Sequence, residues 1–276
     1  MPGKGPAMQV TVLPHQRRPG VGRAPVPDGH RATLPEQARL CPVLEDGSRL
    51  GFLVYPPLAA TETLEIRLLP DLVFRLTLLV QADGVSARPV TVMEIRPSAG
   101  SGGIEIREVL FIAPELRMAE AAIRELFEFL VTNVNAPDGG IGLRGAHDFV
   151  TPEGWDTVYT GVLNDTHRPH VPVLTARIET DWYAQPTEFR YVLQPGEALS
   201  VRGQAPVGQV FFVPREPVTL VDGSPADADL FRGRLETYWA ARTAKERAMP
   251  YGSTFSHHYR DVQRGREGTN SGTGTP

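Results

Sequence analysis

From residue 49 the chain falls into short runs of aliphatic and β-branched residues, at 49–55, 62–69, 72–80, 89–96 and 104–112. Asp46-Gly47-Ser48, Asp83-Gly84 and Gly100-Ser-Gly-Gly103 punctuate them, which is the rhythm of antiparallel strands rather than of βαβ units. Pro114 suits a first helical position, and Ala119, Ile123, Leu126, Phe127 and Leu130 recur on one helical face, so the spacing predicts a helix over 114–133. Strands are expected again at about 141–149, 156–163, 171–182, 187–193, 197–202 and 208–214. Ser224-Pro225 with Asp227 and Asp229 reads as a capped start. Leu230, Phe231, Leu235 and Trp239 then supply the apolar stripe of a second helix, over about 224–248. The fold class that follows is mainly β: an antiparallel β-sandwich or jelly-roll-like domain with two edge helices.

The ends read differently. Residues 1–36 are rich in Pro, Gly and Arg around one β-like run, Met8 to Leu13, and are expected to form an irregular arm with one edge strand. A single β-rich domain is expected over 37–263. Residues 264–276 offer nothing to bury and are expected to be a disordered tail.

Composition narrows the partners. A net charge of −4 and a pI near 6.0 lack the basic footprint of a nucleic-acid binder. No run approaches the ~20 apolar residues of a membrane span, so no membrane partner is expected. The single cysteine, Cys41, and a start without the apolar core of a secretory signal fit a cytoplasmic protein.

Candidate chemistry gathers in Val173-Leu-Thr-Ala-Arg-Ile-Glu-Thr-Asp-Trp182. Strict alternation would put Leu174, Ala176, Ile178 and Trp182 on an apolar face, with Thr175, Arg177, Glu179 and Asp181 on the other. Carboxylates two apart on a strand lie roughly 7 Å from each other, close enough to share a divalent metal or to divide acid and base roles. Glu179, Asp181 and Arg177 are therefore the candidate catalytic residues, and a solvated face neutralised by Arg177 is the competing reading. His167, His170 and His147 are candidate metal ligands, although none has the spacing of a recognised motif. Tyr191 to Gln204 has the strand, Pro-Gly turn, strand rhythm of a jelly roll, but Gly203 to Gln209 lacks the histidine that a cupin-like iron site would use there.

Arg39-Leu-Cys-Pro42 with Gly51-Phe52, Thr160-Gly161 with Asn164 and Glu179-Thr-Asp-Trp182, and Pro195-Gly196 with Val213-Pro214 and Tyr259-Arg260 form a further pattern. Together they resemble a widespread bacterial family known only as a domain of unknown function; the pattern's Trp beside Gly51 is missing here. The resemblance implies a single bacterial domain and brings no reaction with it. Two functions stay open: a β-sandwich protein that binds or modifies a small molecule or peptide in a concave pocket, with metal assistance, or a non-catalytic accessory module that docks on a protein partner.

Overall fold

The structure, a computed structural model, describes residues 8–29, 34, 38, 41–81, 88–97, 104–111, 120–167, 170–248, 252 and 254–271. Its first elements are β1 (Thr11–Pro14), α1 (Pro42–Ser48), β2 (Phe52–Val54), β3 (Glu62–Leu68), β4 (Phe74–Val80), β5 (Arg88–Pro97) and β6 (Ile104–Phe111). Then come α2 (Glu120–Leu130), β7 (Val131–Thr132), β8 (Gly140–Arg144), β9 (His147–Val150), β10 (Trp155–Thr160), β11 (Val173–Leu174), β12 (Ala176–Ile178), β13 (Glu188–Val192), β14 (Ala198–Arg202) and β15 (Gly208–Pro214). The last are α3 (Pro225–Thr243), β16 (Arg247–Ala248), β17 (Thr254–Phe255) and α4 (His258–Ser271). The protein is mainly antiparallel β, as the periodicity predicts. Contacts divide it into a unit of residues 1–39 with 43–216 and a second unit of 40–42 with 217–276. That boundary falls inside the span expected as one domain.

In the first unit the largest sheet has the order β14-β3-β4-β5-β6. Alternation builds it: Leu64, Ile66 and Leu68 of β3 face inward and meet Leu78, Leu76 and Phe74 of β4 in register. Glu65, Arg67 and Arg75 point outward, and Arg75 pairs with Glu94 of β5 at 2.6 Å. Two four-stranded sheets, β12-β10-β15-β2 and β11-β13-β8-β7, and the β1-β9 ribbon supply the other walls. Val54, Ile141, Phe149, Tyr159, Phe189 and Val210 join the inward residues of the large sheet in one buried core, which α2 closes with Leu126, Phe127 and Leu130.

Several boundaries move. The first predicted helix is helical over Glu120–Leu130; 114–119 lie outside the described residues, and 131–132 belong to β7 instead of a last helical turn. Helix α1 was not expected from its short apolar pattern. β13 and β14 flank the Pro195-Gly196 turn yet belong to different sheets, so that turn hands the chain across the core. Gly196, at φ +91°, is the hinge of that transfer, and its N–H donates to Leu68 O at 2.7 Å.

In the second unit, α3 begins with a capping box in which Ser224 and Asp227 exchange hydrogen bonds, and Pro225 opens the first turn. It ends at Thr243, so 247–248 are strand β16 rather than helix. α4 extends to Ser271, beyond the expected start of the tail at 264. Tyr238 of α3 packs against the His258 ring of α4 at 5.3 Å, and Lys245 reaches Asp261 at 3.4 Å. No residue of α3 is buried.

Candidate functional site

The strand expected over 171–182 is interrupted. β11 ends at Leu174, β12 ends at Ile178, and a turn follows in which Thr180 N–H donates to Ile178 O and Tyr183 N–H to Glu179 O, both at 2.9 Å. The expected apolar face fails even before the acidic pair: Leu174, at 44%, and Ala176 are exposed, because β11 and β12 are short strands of two different sheets rather than one. The consequence is plainest at Trp182, expected on the apolar face but 69% exposed, with its ring 5.6 Å from that of the exposed Tyr183. The indole N–H donates to Glu179 at 2.5 Å. The buried member of the turn is Thr180, whose hydroxyl bonds to those of Thr157 at 2.6 Å and Thr151 at 2.9 Å. A hydroxyl holds the turn to the core where an indole was expected to.

Around this anchor lies an ion network. Asp156 of β10, only 2% exposed, accepts from Arg177 at 2.6 Å and from Arg215 at 2.8 and 2.9 Å. Arg215 also donates to Asp181 at 2.6 Å and lies 3.6 Å from Glu179. Asp181 accepts the Gly154 N–H at 3.0 Å as well. The Arg215 guanidinium holds the Asp181 carboxyl below the usual carboxylate range, and the Gly154 amide adds to this. Asp181 and Asp156 in turn push the arginine's affinity for its proton up. Asp181 is thus an ionised acceptor occupied by protein donors, suited to fixing a turn rather than to donating a proton.

Arg177, Glu179 and Asp181 do not share a strand face as expected; they come together through Asp156 and Arg215, which were not anticipated. Both lie far from the 173–182 segment in sequence. The signal that would find them is the β10–β15 register, which sets Asp156 opposite Val213 and so puts Arg215 beside it.

The histidines stand apart from this cluster. His147 lies in β9 opposite Pro14 of β1. Burial lowers its pKa, with Asp148 pulling the other way, and burial does the same to the neighbouring His15, whose ring meets Phe129 edge-on at 4.3 Å. His167 is exposed and bonds to Asp165 at 2.7 Å, and His170 is exposed. Among the described residues no group of three or more His, Cys, Asp or Glu side chains is placed to hold a metal ion. Nor is any described helix long and apolar enough to cross a membrane.

A different surface feature lies on α3. Phe231, Leu235 and Trp239, spaced by four, are 68%, 44% and 48% exposed. Leu230 flanks them, and Val218, Leu220 and Val221 in the segment leading into the helix are also exposed. The Arg242 guanidinium stacks 4.8 Å from the Trp239 ring. Compared with known proteins, the chain matches no family model, no curated protein and no solved structure.

Proposed function

We propose that the chain is a non-catalytic interaction module, a β unit that carries a C-terminal helix for docking on a protein partner. The observation that supports this is the exposed Phe231–Leu235–Trp239 stripe. Large apolar side chains in one uncovered row mark association surfaces, and anchors one turn apart are how an amphipathic helix enters a groove. Trp, braced by Arg, belongs to the residue types that carry most binding energy. In this reading the Glu179–Asp181–Arg215 network is structural, and Cys41 serves in a reducing, cytoplasmic setting. A photoreactive side chain in place of Leu235 tests it: crosslinked adducts of discrete mass are expected, and none from the same group at the outward Arg67. No adduct at 235 would overturn the reading.

One observation favours a second reading, a small-molecule or peptide ligand near Glu179 and Asp181: the exposed Trp182–Tyr183 pair is joined to Glu179 through the indole N–H. A Glu179→Gln, Asp181→Asn variant compared with the parent for stabilisation by added divalent ions tests its metal-assisted form. Equal melting in both proteins would remove it.

A further inference from the structure

The geometry points to a second copy of the same chain as the partner of α3, an inference that rests on the docking reading above. The stripe is symmetric about its middle residue: Phe231 precedes Leu235 by four positions and Trp239 follows it by four. At 3.6 residues per turn all three share one face. A two-fold axis through Leu235 that sets two copies antiparallel places Leu235 against itself and Phe231 against Trp239 of the other copy. A patch that matches itself under two-fold rotation is the requirement for a closed dimer.

The charges follow the same symmetry. Asp227 and Asp229 lie in the first turns of α3, while Arg242, Lys245 and Arg247 lie at and beyond its end, Arg242 paired with Glu246 at 2.7 Å and Lys245 with Asp261 at 3.4 Å. Antiparallel pairing sets acidic end against basic end and opposes the helix dipoles, whereas parallel pairing would set like against like. Arg232 and Glu236 border the stripe on one side, and the same rotation brings Arg232 of one copy to Glu236 of the other. Among the described residues Arg232 pairs with Asp229 at 2.9 Å, a solvent-exposed and therefore weak competitor. Glu236 makes no ion pair among the described residues. α4 covers the other border, where Tyr238 meets His258, and leaves Phe231, Leu235 and Trp239 open. A single helix pair lies at the small end of protein interfaces, so the dimer is concentration-dependent.

Sedimentation of the full chain over a range of concentrations tests the inference. A monomer–dimer equilibrium is expected, weakened at least roughly tenfold by Leu235→Glu, which sets two carboxylates face to face on the axis. Arg232→Glu should weaken it too, and adding Glu236→Arg should restore it. All three positions are exposed, so circular dichroism should show the helix intact in each variant. A monomer at every concentration, or a dimer indifferent to Leu235→Glu, overturns the second copy. The photoreactive group at 235 separates the two failures: an adduct only with a different protein overturns the second copy and keeps the docking helix, while no adduct overturns both.

Discussion

β3 and α3 each carry a row of large apolar side chains, yet the two rows end in opposite states. Leu64, Ile66 and Leu68 of β3 are at most 1% exposed, whereas Phe231, Leu235 and Trp239 of α3 are 44–68% exposed. In β3 the apolar face is buried in the core while β4 and β14 flank its edges; in α3 the row meets water. Apolar periodicity thus identifies a face that gains from cover without saying what covers it. α3 stays helical through local means, the capping box, Pro225 and short-range ion pairs, whereas β3 is held by packing.

The largest test of this contrast is Ile66→Ala. Loss of a fully buried side chain amid Leu64, Leu76 and Leu199 should lower stability by about 2–5 kcal/mol in chemical denaturation. A loss under about 1 kcal/mol, ordinary for a surface site, would mean that the large sheet is not the centre of the core. Next comes Asp156→Ala, which strips Arg177 and Arg215 of their shared acceptor. Both arginines are partly exposed, so about 2 kcal/mol is expected rather than the full penalty of a buried broken pair. The Asp181 turn should loosen with it, seen as faster amide exchange at Gly154.

Acid should weaken the first unit in two steps. His15 and His147 have pKa values below the ordinary 6.5, so the fold favours their neutral forms. Their contribution is complete above that value and is lost as pH falls through the lowered ones. Glu62 follows. Burial would raise its pKa, but the paired bonds from Arg18 and the Ala59 amide outweigh this and lower it. Its contribution is lost further down, below the usual carboxylate range. Thermal melts between pH 7 and 3 should show both steps, and a His15→Gln, His147→Gln variant should lack the first.

The smallest effects belong to exposed aromatics. Trp182→Ala should change stability by less than about 1 kcal/mol, where a buried tryptophan would cost several times more. Phe231→Ser should stay within about 0.5 kcal/mol for the monomer, measured by denaturation at low concentration. A larger loss would show that the α3 stripe is already covered.

The contrast also marks what was legible in the sequence. β3, β4, β5 and β6 lie within a residue or two of their predicted runs, because β3 and β4 alternate cleanly and the Asp83-Gly84 and Gly100-Ser-Gly-Gly103 signals bound the runs of β5 and β6. The helical span of α3 was legible from Ser224 and Pro225 to within a few residues of its end. Leu174 and Ala176 were misplaced because the run splits into two short strands of different sheets, and Trp182 because a turn follows that nothing local in Glu179-Thr-Asp-Trp182 announces. The anchor is Thr180, whose partners Thr151 and Thr157 lie on another stretch of chain. Asp156 and Arg215 were missed for the same reason, since an ion network across strands is a property of their register.

The seating of β14 beside β3 has a consequence for the growing chain. Leu199 pairs with Ile66, so one edge of β3 waits while the sequence up to Ala198 is synthesised. During that interval β3 and β4 can close their own hairpin within microseconds, but the free edge beside Glu65 and Arg67 stays open. Two outward charges are what guards it against pairing with a neighbouring chain, a recognised use of edge charges. A nascent chain stalled before Ala198 should be the aggregation-prone species, and release beyond Arg202 should end the exposure.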